Sequence, residues 1–215
     1  MKKYELLTDD KLIIDGQPLY RIRRLSDNLL GGYIASEANL SHEGTCFVYD
    51  EAAVCHWAHV CDNARVGGKA RVNWRAQISG EAEVSGEAFV GGDAQMSGNA
   101  LANDEAQVFG DAHVGGNAWV FGRATVRCQA QVGENARVYD DADVRDKAEV
   151  RGSAHVSGRA LIMGEARVRD KARVCDDAKL SGSVLVCDNA RVGGKVEVGG
   201  EVVLGENNYL RWEGR

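Results

Sequence analysis

GDAHVGGNAWVFGRA, residues 110–124, returns to Ala, Val and Gly at six-residue intervals, and everything else in the chain is read from that period. From Ala52 to Val202, 23 of the 26 positions spaced by six are Ala, the others being Val184, Val196 and Val202. Two residues after each, from Val54 to Leu204, all 26 positions are apolar: 20 Val, with Ile78, Met96, Ala102, Ile162, Leu180 and Leu204. Two further on, 21 of 26 are Gly or Asp. The unit is A-x-V-x-[GD]-x, with no insertion or deletion over this span.

An α-helix cannot use a period of six, because successive Val residues would wander around its axis. A strand can: in A-x-V the Ala and Val share one face and x takes the other. The Gly or Asp that follows tolerates the turn conformations that strain other residues. Each hexad is therefore a short strand plus a corner. Three corners close a triangle every 18 residues, with Ala and Val inside and every x outside. The fold class is all-β, a parallel β-helix with a thin core of small side chains, and 7% aromatic residues against 44% apolar agrees with such a core.

Residues 18 apart should then stack, about 4.8 Å from one another. Read this way, the outward positions acquire order. Arg123, Asp141, Arg159, Asp177 and Lys195 alternate in sign; Arg75 lies over Asp93 and Lys147 over Glu165; Asn99, Asn117 and Asn135 form a ladder at one corner. No two of the six cysteines lie 18 apart and none form a C-x-x-C pair, so neither stacked disulfides nor a zinc site is expected. Asp140-Asp141 and Asp176-Asp177 are corner residues with basic neighbours, and no metal is expected there.

Pairs such as Val66 with Ala70, and Val120 with Ala124, place an aliphatic residue four before a small one. That pattern resembles the hexapeptide-repeat proteins. The resemblance implies a single-stranded left-handed parallel β-helix with three hexapeptides per coil, here about nine coils. LYRIRRL at 19–25, LGGYI at 30–34 and NLSHEGTCFVYDEA at 39–52 resemble, more narrowly, the N-terminal signature of YdcK-type proteins. These are bacterial and prophage proteins usually labelled acyltransferases, so the resemblance implies a phage or prophage origin.

Residues 1–31 lack the repeat. YELLTDDKLIIDGQPLYRIRRL reads as two or three antiparallel strands around the turns TDD and DGQP, a cap on the open end of the helix. The β-helix is expected over 32–205, with 32–45 as an irregular first coil, and 206–215 as a tail that leaves the repeat. A net charge of −6 argues against nucleic-acid and anionic-membrane binders. No apolar run approaches a membrane span, and MKKYELLTDDK does not read as a signal peptide, so a cytoplasmic protein is expected.

The resemblance implies that acyl transfer would need a general-base His, a loop breaking the repeat, and a cleft between subunits; the physical reason is that a smooth prism has no concavity to orient two substrates. The repeat is unbroken. Of five histidines, His113 and His155 are the candidates for a base, and His59 shares the column of His113 three coils away. The outward aromatics are more informative. Leu101, Trp119, Phe121 and Tyr139 are expected to form one exposed patch, with Phe89 and Phe109 a second on the next face. The Trp119 column continues as Arg137, His155, Arg173 and Arg191, a basic ladder on an acidic protein. Such surfaces suit contacts. The expected function is a non-catalytic structural or interaction protein without a cofactor, forming a homo-oligomer (dimer or trimer) or binding a protein partner. The alternative is a hexapeptide-repeat acyltransferase using acyl-CoA, with its site at a subunit interface.

Overall fold

From Phe47 onward the outward columns of the structure are 18 residues in period, as the six-residue repeat requires; the first coil is 20. In the computed structural model, which describes residues 2–212, each A-x-V contributes a two-residue strand that pairs in parallel with the strand one coil on: Leu101 with Trp119, Trp119 with Arg137, Arg137 with His155. Three sheets result, here called face 1 (twelve strands, the cap included), face 2 (nine strands, from His59–Val60) and face 3 (ten strands, from Phe47–Val48). The fold is a parallel β-solenoid of about ten turns, one more than the repeat count suggests.

The C-terminal segment adds a further strand to the solenoid. Tyr209–Trp212 does not leave the repeat; it pairs in parallel with Arg191–Gly194 and continues face 3. Tyr209, Leu210 and Trp212 are exposed on that strand rather than folded over the end of the core. The expected tail beginning at 206 is corrected accordingly: residues 206–212 belong to the last coil.

At the other end, β1 (Tyr4–Ile14) and β2 (Gln17–Arg24) form an antiparallel hairpin, and β2 pairs antiparallel with β3 (Leu30–Ile34). β3 turns the cap into the solenoid by pairing in parallel with Ala53–Val54. Tyr4, Ile22 and Phe47 are fully buried there and join the central core, so the hairpin closes the end that an open β-helix would expose. Residues 32–45 are irregular as read, with a 3-10 turn at Glu37–Asn39 and a bridge from Leu40 to Val60.

The interior is the Ala and Val of the repeat, fully buried along nearly the whole length. Between coils the backbone bonds recur regularly, for example Trp119 N–H to Ala136 O at 2.9 Å and Phe121 N–H to Val138 O at 3.0 Å. The corners show what Asp contributes beyond tolerance of the turn. Asp104, Asp140 and Asp176 hold positive φ near 60°. Their carboxylates accept the corner N–H one coil on, from Gly122, Gly158 and Gly194. A corner N–H that the strands leave over is thereby satisfied by a side chain from the preceding coil.

Candidate functional site: face 3

The strand position of face 3 carries the column read from the sequence, and the structure keeps it in one register: Leu101, Trp119, Arg137, His155, Arg173, Arg191 and Tyr209. Each step is one coil, about 4.8 Å. A second column beside it carries Phe121 and Tyr139 after Asn103 and then shrinks to Ser157, Cys175 and Gly193. The middle of the face is thus aromatic, following Phe47, Arg65 and Glu83 in the strand column, and the C-terminal part is a basic row bordered by small residues.

The expected single patch is divided into two groups of contacts. Phe121 and Tyr139 stack at 5.0 Å with their planes 4° apart, and Tyr139 meets the His155 ring edge-on at 6.2 Å. Trp119 instead lies under the Arg137 guanidinium, 4.7 Å from its ring centroid. Trp119 is the only exposed member, at 41%; Leu101, Phe121 and Tyr139 are half-buried. The aromatics therefore form a partly covered strip that leads into the basic row.

That row is not neutralised from within. Among the described residues, Arg137, Arg173 and Arg191 have no ion pair with a carboxylate, although all three are exposed. The acids nearest in sequence are committed elsewhere. Asp140 and Asp176 hold the corner N–H groups of Gly158 and Gly194. Asp141 and Asp177, one position further, pair with Arg123 and Arg159 at 2.7 and 2.6 Å. His155 sits between the arginines, and burial together with the charges of Arg173 and Arg137 holds its imidazole below the ordinary histidine value.

Phe89 and Phe109, on face 1, make no ring contact with each other among the described residues. The Phe89 ring folds back over Gly91, filling the space a side chain there would take. Both rings are half-buried cover on the sheet.

The two histidines named as bases are on different faces. His113 is on face 2, exposed, at the edge of an open depression of about 470 Å³ with Gln131, Lys147, Glu149 and Arg167. Its Nδ1 lies 3.0 Å from the carbonyl oxygen of Asp111. His155, on face 3, has Arg137 and Arg173 as its strand neighbours. The structure does not bring the two together.

Asp170, Cys187 and Asp188 place three potential ligand atoms within 4.8 Å of one another. The Oδ2 atoms of Asp170 and Asp188 accept the backbone N–H groups of Asp188 and Glu206, the same corner device seen at Asp140. The six cysteines are free thiols. No helix is long and apolar enough to cross a membrane.

Sequence reasoning missed one grouping. His56 and Trp74 are stacked at a corner, with exposed Trp57 alongside. The signal was present as two of the five exceptions to the Gly/Asp rule, His56 and Trp74.

No protein-family model matches the chain, and no curated protein matches it.

Proposed function

We propose that the protein is a non-catalytic structural or interaction protein that uses face 3 to bind an anionic protein partner or a further copy of itself. The single observation that carries this reading is the row Arg137, Arg173, Arg191. Among the described residues, three exposed arginines stand in one register without a carboxylate partner, while the corner acids Asp140, Asp141, Asp176 and Asp177 are engaged elsewhere. Arg173 and Arg191, adjacent in the column, carry like charges that repel one another, so an approaching carboxylate surface gains both pairing and relief of that repulsion. Trp119, Phe121 and Tyr139 supply apolar contact next to the charges, the combination that dominates protein interfaces. A phage or prophage origin rests on the YdcK-type resemblance of residues 19–52, and the homo-oligomer on the flat faces of such folds.

The test is capture of partners by immobilised wild type and by Trp119→Ala/Phe121→Ala, with sedimentation velocity on the same two samples. The reading expects a partner, or the self-associated species, to be lost in the double variant. Identical partners and identical sedimentation would reduce the aromatic strip to surface cover.

One observation favours a second reading, the acyltransferase. With Nδ1–H donated to the Asp111 carbonyl, His113 turns the Nε2 lone pair outward as a base needs. The depression beside it is open and would need a second subunit to close over acyl-CoA. His113→Ala and His155→Ala, made together, should abolish any acyl transfer detected; unchanged transfer would remove this reading.

A further inference from the structure

The corner between faces 1 and 2 holds an arrangement unrelated to face 3. Its left-handed position runs His56, Trp74, Gly92, Gly110, Cys128, Asp146, Gly164, Gly182, Gly200. Trp74 has φ of 59°, a conformation that is costly for a bulky side chain and that glycine occupies at five positions of the same column. The strain is not offset by burial: Trp74 is 52% exposed. Its ring lies parallel to the His56 ring, 3° apart at 4.8 Å, so the stack runs along the solenoid axis. Beyond the other face of Trp74, the next two positions are Gly92 and Gly110, which send nothing into the column.

The walls of this gap differ. Toward face 2, Arg75 and Asp93 form a two-pronged ion pair, at 2.6 and 2.7 Å. Toward face 1 lies Asn73, nine-tenths buried, whose Oδ1 has no donor. That oxygen and the edge of the Phe89 ring share the space above Gly91, each 2.6 Å from where a side-chain carbon would start. A buried acceptor without a donor is costly, and this one lies beside Gly91, next in the chain to Gly92.

We propose that Trp74 is the platform of a binding site for a planar heteroaromatic ring. The ring stacks on the free face of Trp74 above Gly92, and an N–H on its edge reaches Asn73 Oδ1 once Phe89 rotates aside. The neighbouring Asp93 and Asp111 disfavour a phosphate, so the ligand is an uncharged ring: the base of a nucleoside, or an indole presented by a peptide. This site is independent of face 3 and of the function proposed for it.

Saturation-transfer NMR on the full chain tests the site, with adenosine and N-acetyltryptophanamide as probes and ribose as the ringless control. Ring protons of at least one probe should receive saturation, and ribose should not; the tighter probe assigns the source of the ring. Trp74→Gly places the column's commonest residue at the strained position, so the chain should fold, confirmed by its melting curve. Affinity should fall about tenfold or more, in the range expected for one lost stacking contact. Gly92→Asp, whose Cβ would lie 2.8 Å from the Gly110 backbone, fills the gap with a residue the corners already use; with its fold confirmed by the same melting curve it should weaken binding similarly, and Trp119→Ala should not. Absence of transfer to either ring in the wild type overturns the proposal. So does transfer unchanged in both Trp74→Gly and Gly92→Asp, or lost in Trp119→Ala.

Discussion

Two neighbouring columns, each read at every eighteenth residue and each carrying arginines, have opposite chemistry. At the corner between faces 3 and 1, Arg123, Asp141, Arg159 and Asp177 alternate, and each arginine clasps the aspartate one coil on. Four residues before Arg123 and Arg159, at Trp119 and His155, the chain runs along face 3, where the row Arg137, Arg173, Arg191 repeats one sign and, among the described residues, has no carboxylate partner. The corner column closes on itself and offers nothing to a partner. The face column remains open, and its repulsion is tolerated because water and mobile ions screen exposed charges. A repetitive scaffold therefore writes register in one column and recognition in another, using the same residue type.

The largest change expected is in the interior the two columns share. Val138→Asp would bury a carboxylate between Ala136 and Ala142 with no partner, at a cost of several kcal/mol, and should abolish the cooperative melt by circular dichroism. Such a result leaves the comparison intact while showing that neither column holds the fold by itself. Gly158→Ala probes the corner alone. Gly158 has φ of +67°, and an added Cβ would sit 2.7 Å from the Asp176 nitrogen. The expected loss is about 1–2 kcal/mol, read as a lower denaturation midpoint at unchanged slope.

Smaller effects separate the two columns directly. Arg173→Gln/Arg191→Gln should leave the melting temperature equal or slightly higher, because it removes repulsion. Asp141→Asn should lower it, because it breaks a pair with Arg123. The opposite order would mean that the face row is paired in solution. The smallest effect is the titration of His155. Its imidazole is held low by burial, Arg173 and Arg137. The unfolded chain therefore takes up this proton first as pH falls. Stability from this group is full above the ordinary histidine value, near 6.5, and declines from there down toward the lowered folded value. Arg173→Gln should move the His155 midpoint upward in an NMR titration, and an anion bound on the row should do the same.

Much of this was legible in the sequence because a strict period fixes which residues are neighbours. The coil length, the buried Ala and Val, the Asn99–Asn117–Asn135 ladder and the Arg75–Asp93 pair all followed from counting by 18. Counting gives columns but not side-chain direction. It could not say that Trp119 lies against Arg137 rather than Phe121, or that Phe89 folds over Gly91. It also gave Asp only a conformational role at the corners, whereas Asp140 additionally satisfies the Gly158 N–H. The C-terminal strand was missed for a different reason: NNYLRW breaks the A-x-V pattern, yet Tyr209–Trp212 pairs through its backbone with Arg191–Gly194, which needs no particular side chain.

The account rests on face 3 being the open surface, and one measurement addresses it most directly. Partner capture and sedimentation velocity are compared for wild type, Arg173→Glu/Arg191→Glu on the face, and Arg123→Glu/Arg159→Glu at the corner, two charge reversals in each variant. The account predicts that the face variant loses the partner or the self-associated species and that the corner variant keeps it. Loss in the corner variant alone, or equal retention in all three, would contradict it.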